Sequence, residues 1–232
     1  MEQIMGRERR GWLAGFLLVA AAAVALAAPS AGKIVEPETE RGFAATVQGA
    51  EDGRTLTCTG VACRKKTMLG VKVYAVAHWI DAAAAAQALA PWKGKPASEL
   101  VKDQSFYDAL SSVDVEKRMR LEFVHDATAK QVADGFRDSL ELTYKKLPPE
   151  AERFLGMLQE KMELGDAVEL RWLPGGNIEL YEKDQLKGVV EENPTFATAA
   201  WKMWLGEKLA DGHLETAKKD LVGNIAAVWE AP

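Results

Sequence analysis

The clearest pattern in the chain is the ten-residue run Val71–Ile80, VKVYAVAHWI, in which β-branched and aromatic residues alternate with the few polar ones. Side chains of a strand point alternately to its two faces, so this run reads as a buried central strand. Lys72, Tyr74, Val76 and His78 share one face. Val71, Val73, Ala75, Ala77 and Trp79 share the other, which is wholly apolar and is expected to face the core. A pocket over the sheet is expected on the first face. Just upstream, Gly60–Lys66 (GVACRKK) reads as a tight basic turn, and Gly70 punctuates the chain before the strand.

The same reading extends along the chain. Phe43–Val47 and Arg54–Thr57 form short strands around Glu51-Asp52-Gly53, an Asp-Gly hairpin signal. Asp81 is placed to cap a helix through DAAAAAQALA that Pro91 ends. Pro96 opens a short helical stretch in which Phe106, Tyr107 and Leu110 supply packing. Lys117–Val124 alternates Met119, Leu121 and Phe123 with Arg118, Arg120 and Glu122, a strand with one polar face. Thr128 and Gln131 form a capping-box pair, and Val132, Phe136, Leu140 and Tyr144 follow at i, i+4 spacing on an amphipathic helix. A second such helix is expected through Ala151, Phe154, Leu155, Leu158 and Met162. Strands follow at Ala167–Leu173, Ile178–Tyr181 and Leu186–Val190, with a turn at Pro174–Asn177. Pro194 opens a helix whose apolar face carries Trp201, Trp204 and Leu205, and a short helix over Leu214–Leu221 closes the chain. Strands near both ends with helices between them predict an α+β fold, an antiparallel sheet with helices on one face.

The N-terminus changes the count of folded residues. Arg7, Arg9 and Arg10 precede an alanine-rich apolar stretch, Gly11–Ala28, and Ala25-Leu26-Ala27 forms a small-x-small cleavage site. Residues 1–27 therefore read as a secretory signal peptide, and the protein is expected to be periplasmic or secreted. An uncleaved membrane anchor is the alternative, since about 18 apolar residues can just span a bilayer. Arg9-Arg10 leaves export by a twin-arginine route open beside the general one. Residues 28–42, with Pro29 and Pro37, read as a linker, and 43–232 as one domain. At 232 residues with a net charge of −5, the chain can bury one sizeable core and lacks the basic surface that nucleic-acid binding needs. Cys58 and Cys63 do not match a zinc spacing and have no ligating cluster beside them. They either close a small disulfide before Arg64 or remain two free thiols. No metal or cofactor is expected.

Gly60-x-x-x-Arg64-Lys65-Lys66 followed by Lys72-Val-Tyr-Ala-Val-Ala77 resembles the chalcone isomerase-like family, specifically its bacterial secreted branch. Four further pieces share the resemblance: the Lys117–Val124 strand leading to the Thr128 helix, Gly165-Asp166 before a strand, Leu186-Lys187-Gly188, and Trp204-Leu205-Gly206-Glu207. The resemblance implies an open-faced β-sandwich, a large antiparallel sheet with a helical layer on one side and a ligand cleft between. Within the family, isomerases close the flavanone ring, plastid relatives bind fatty acids without catalysis, and others assist enzymes. The arginine common to the first two groups matches Arg64. Isomerases carry a threonine on the following strand; the position that resembles it here is Tyr74, two residues nearer to the arginine, and an Arg–Tyr pair is what the fatty-acid binders use. Met203 stands where isomerases place a hydroxyl residue. Lys130 and Arg137 fall near their helical tyrosine and asparagine and match neither. The resemblance thus implies a non-catalytic site for a fatty acid or similar small amphiphilic carboxylate, held by Arg64 and Tyr74.

Read from the residues alone, Arg64 fits a solvated arginine in a basic turn, and Tyr74 a satisfied core tyrosine, better than a ligand pair. Inside an apolar cleft, Arg64 would demand an anionic partner. His78, four residues after Tyr74 on the same face, is either a structural histidine or a polar cleft residue able to act as a ligand contact or general base. Two rival functions remain. One is an isomerase or intramolecular lyase in which Arg64 stabilises an oxyanion, with Tyr74 beside it. The other is a protein-interaction module with a collapsed cleft.

Overall fold

The computed structural model describes residues 32–50, 53–67 and 69–231. The expected signal peptide lies outside the described residues. Seven strands form one antiparallel sheet in sequence order: β3 (Thr46–Gln48), β4 (Thr55–Lys66), β5 (Val71–Ile80), β6 (Lys117–Phe123), β7 (Ala167–Leu173), β8 (Asn177–Glu182) and β9 (Gln185–Val190). A separate antiparallel pair, β1 (Lys33–Val35) and β2 (Gly42–Ala44), precedes it. Part of the stretch expected to be a linker is therefore strand. Between β5 and β6 lie α1 (Ala82–Ala85), a 3-10 turn at Ala90–Trp92, α2 (Ala97–Leu100) and α3 (Gln104–Ser112). α4 (Ala129–Leu140) and α5 (Pro149–Leu155) join β6 to β7, and α6 (Pro194–Leu205), α7 (Gly212–Asp220) and α8 (Ala226–Glu230) follow β9.

The helices cover one face of a curled sheet, which is the expected α+β architecture. Local chemistry explains most of its ends. β6 alternates buried and half-exposed residues without a break. Thr128 and Gln131 form the expected capping box of α4. Asp81 caps α1 through Ala84 N–H. The alanine helix stops after Ala85, far short of Pro91, and continues as turns. α5 also ends early, at Leu155. Leu158 and Met162 are still buried, but on extended chain whose Met162 bridges Ala127.

Two expectations about the central stretch are corrected. Gly60–Lys66 is not a turn but the second half of the twelve-residue β4, hydrogen-bonded along β5. A Cβ at Gly60 would collide with the Asp220 carbonyl and lie 2.6 Å from the Leu221 carbonyl carbon. The glycine thus allows the end of α7 to approach the strand. The pocket lies over the Tyr74 face of β5, as expected, but the main core lies on that face as well, and the wholly apolar face packs in a smaller core. Val76 and Ile80 face the main core under the helices. Ala75, Ala77 and Trp79 instead form a smaller cluster with Phe43, Leu56 and Cys58. β1 and β2 cover that second face: the Phe43 and Trp79 rings lie 6.0 Å apart, and Trp79 Nε1 donates to the Ala44 carbonyl at 2.8 Å. Both faces are covered, so polarity could not decide which of them carries the main core.

A bulge in β4 aligns the site. Cys58 pairs with Trp79 and Gly60 with His78, leaving Thr59 as the extra residue. Beyond the bulge, Arg64 pairs directly with Tyr74, and Tyr74 with Phe123. The three side chains form one row across β4, β5 and β6 on the helix-covered side. The bulge also puts Cys58 and Cys63 on the same face. They are buried free thiols, with no disulfide between them. Five residues along a strand span about 16 Å, well beyond the roughly 7 Å that a disulfide tolerates between Cα atoms. Burial pushes the Cys58 thiol up to about 12 and that of Cys63 to about 11.

Candidate functional site

A cleft of about 390 Å³ opens between the sheet and the helical layer, within the roughly 300–1,000 Å³ of small-molecule sites. Its floor is the Arg64–Tyr74–Phe123 row with Val73. Its roof is the stripe Gln131, Val132, Gly135, Phe136 and Ser139 of α4, with Met203 and Trp204 of α6 and Leu214 of α7 completing the wall. α4 presents that stripe because residues one turn apart share a face. Lys66, Thr67, His125 and Asp126 also contribute to the lining. Most of the wall is hydrocarbon and aromatic, with a few polar groups among it.

Arg64 is 8% exposed, and an unpaired charge there would be costly. Its partner is Asp211. Nη1 donates to Oδ1 at 2.8 Å and Nη2 to Oδ2 at 2.7 Å, a bidentate fork. Nη1 also donates to the Lys65 carbonyl. Asp211 in turn caps α7, its Oδ1 accepting from the His213 and Leu214 amides at 3.0 and 3.1 Å. Burial alone would raise the Asp211 pKa. The Arg64 fork and the two capping bonds outweigh it and hold the carboxyl below its ordinary value.

Tyr74 Oη accepts from Trp204 Nε1 at 3.1 Å. Indole can only donate, so the phenol keeps its own proton to give. Burial raises the Tyr74 pKa, and Arg64 opposes that rise without cancelling it, so the phenol stays protonated. The corner therefore holds a phenol O–H beside guanidinium N–H groups, all donors suited to an oxygen-bearing head group.

His78 does not belong to the cleft. It is completely buried, and both ring nitrogens are engaged. Trp201 Nε1 donates to Nε2 at 3.0 Å, which leaves the ring proton on Nδ1. Nδ1 donates to Thr59 Oγ1 at 2.8 Å, and Thr59 donates onward to the Leu221 carbonyl at 2.6 Å. Burial, with Lys117 nearby, lowers the His78 pKa to about 3. This neutral chain ties β4, β5, α6 and the end of α7 together, so His78 is structural and not a ligand contact or base. Lys130 and Arg137 also turn away from the cleft, pairing with Asp134 and Glu152, each at 2.7 Å. Among the described residues, no group of three or more His, Cys, Asp or Glu side chains could hold a metal ion.

Sequence reading brought Arg64 and Tyr74 forward but missed Asp211. The Asp-Gly-His run signals a helix cap, yet nothing in it signals a partner 147 positions away. Of the α4 stripe, Val132 and Phe136 were legible as part of an amphipathic face, whereas Gly135 and Ser139 were not singled out and the stripe was not legible as a ligand wall.

The family model described as chalcone isomerase-like matches residues 41–223. Fatty-acid-binding protein 1 of Arabidopsis thaliana is 25% identical over 207 residues, covering 84% of this chain and 71% of that protein. The crystal structure of an Arabidopsis thaliana fatty-acid binding protein superposes with a TM-score of 0.69 at 23% identity, covering 86% of this chain and all of that one. At that identity the structural likeness is one of fold.

Proposed function

The chain belongs to the chalcone isomerase-like family, and from that premise we propose that it binds a fatty acid or a similar small amphiphile without transforming it. The observation that carries this reading is the apolar cleft with Arg64 and Tyr74 in register on its floor. The acyl chain would lie along Phe123, Phe136, Met203 and Trp204. The head group would meet the Tyr74 phenol and the Arg64 guanidinium. The similarity to a fatty-acid-binding protein supports the same ligand class.

The isomerase alternative has less to stand on. Met203 offers no hydroxyl in the wall, and Lys130 and Arg137 are paired away from it. We also propose export to the periplasm or the exterior, on the basic Arg7–Arg10 segment, the apolar stretch and the Ala25-Leu26-Ala27 site. N-terminal sequencing of protein recovered from the cell envelope fraction is expected to begin at Ala28. An intact Met1 would instead indicate a retained segment.

Native mass spectrometry of protein purified without detergent, followed by organic extraction, tests the binding reading. The expected result is one co-purifying amphiphile per chain, strongly depleted in Arg64→Ala. An empty protein that also takes up no added fatty acid would remove the reading. Turnover of a chalcone that is lost in Arg64→Ala would replace it with the isomerase one.

A further inference from the structure

We infer that Asp211 sets the head-group preference of the cleft, acting as a built-in carboxylate that competes with a ligand carboxylate for Arg64. The inference rests on the amphiphile-binding reading above. It follows from the fork itself: Arg64 lines the cleft, and both its Nη atoms are held by the two oxygens of Asp211, which stands outside that lining, at 2.8 and 2.7 Å.

The pair cancels the Arg64 charge, and the other charged side chains of the lining, Lys66 and Asp126, are of opposite sign. A guanidinium has five N–H groups. Asp211 occupies one on each Nη, and the Lys65 carbonyl takes the second on Nη1. Nε–H and one Nη2–H are not taken by these two groups, and Tyr74, whose hydroxyl also interacts with Arg64, keeps its phenol proton to give. These donors can serve any ligand oxygen, charged or not. A ligand carboxylate gains from them but must share the Arg64 guanidinium with the Asp211 carboxylate, and like charges near one site disfavour each other. A hydroxyl head group uses the same donors without that repulsion. Asp211 is also fixed in place, because it caps the nine-residue α7 through two amides. The wild-type cleft is therefore expected to discriminate little between a fatty acid and a fatty alcohol of equal length.

Asp211→Asn removes the charge while keeping an oxygen for the cap, since asparagine is as good an N-cap as aspartate. Asp211→Ser, which also caps, carries the same expectation, and thermal melts establish that each variant is folded. The experiment is calorimetric titration of wild type and both variants with decanoate and with 1-decanol at neutral pH. In wild type the two affinities are expected to agree within about threefold. In the variants the preference for decanoate is expected to rise by about tenfold or more, the scale set by removing one like charge from a partly buried site. An acid-to-alcohol ratio that stays within about threefold of wild type in the folded variants overturns the role of Asp211 while leaving the cleft as an amphiphile site. No binding of either compound to any of the proteins overturns the cleft reading, and this inference with it.

Discussion

His78 makes the fold acid-sensitive, and its geometry fixes both the sign and the size of the effect. In the folded chain, Nε2 accepts from Trp201 and Nδ1 donates to Thr59. Protonating Nε2 would set two N–H donors against each other in a dry interior. The imidazole therefore stays neutral when folded down to a pKa of about 3, against an ordinary value of 6.5. Below pH 6.5 the unfolded chain takes up a proton that the folded chain refuses. Stability is then lost as pH falls, and the loss accumulates until the folded pKa is reached. At about 1.4 kcal/mol per pH unit, the difference between pH 7 and pH 5 comes to about 2 kcal/mol, a sizeable part of the roughly 5–15 kcal/mol a domain commands.

Urea denaturation of wild type and His78→Phe at pH 7, 6 and 5 measures this. At pH 7 the variant is expected to be weaker by about 1–3 kcal/mol, because the Trp201 and Thr59 groups lose their partner. The gap is expected to shrink by about 2 kcal/mol at pH 5, because only wild type carries the histidine penalty. A gap constant within about 0.5 kcal/mol would refute the neutral-histidine account.

Other expected outcomes follow from the same geometry. Lys117 is buried, with Nζ 3.2 Å from the Leu110 and Ser111 carbonyls at the end of α3 and 3.7 Å from the Trp172 ring. Lys117→Met should cost about 1–3 kcal/mol in chemical denaturation, by orphaning those carbonyls. Burial holds the Lys117 pKa well below its ordinary 10.5, so wild type should gain on the variant as pH rises from 8 towards 10; a flat difference would count against this. Gly60→Ala should destabilise by about 1–3 kcal/mol, because its Cβ meets the backbone of Asp220 and Leu221, and an unchanged urea midpoint would contradict that contact. Arg137→Ala should leave the urea midpoint and ligand affinity essentially unchanged, since its pair with Glu152 is exposed; an affinity loss in titration would place Arg137 at the cleft after all.

Much of the fold could be read because local chemistry and tertiary packing agree. The alternation of β6, the Thr128 capping box and the Asp81 cap each recur in the structure. The misreadings lie where a distant neighbour decided the outcome. Gly60 looked like a turn glycine because its reason, the backbone at Leu221, is 161 positions away in sequence and leaves no local mark. Leu158 and Met162 fit a helical spacing, but the bridge to Ala127 keeps that segment extended. Cys58 and Cys63 have opposite parity along a regular strand, and only the Thr59 bulge brings them to one face. In the site, Arg64 and Tyr74 were visible as residue types on or beside a strand. Asp211, which pairs with Arg64 and caps α7, was not singled out, because the closing helix was read only from Leu214 onward.

The most direct test of the cleft uses Gly135. It sits on α4 between Gln131 and Ser139 in the lining stripe, and a Cβ there would meet no atom within 4 Å. Gly135→Leu should fill the cleft without touching Arg64 or Tyr74, and it gains up to about 1 kcal/mol of helix propensity. Calorimetric titration with decanoate is expected to show one site per chain in wild type and binding weakened at least about tenfold in Gly135→Leu, at an equal or higher melting temperature. Equal affinity in the two folded proteins would place the ligand elsewhere and contradict the account.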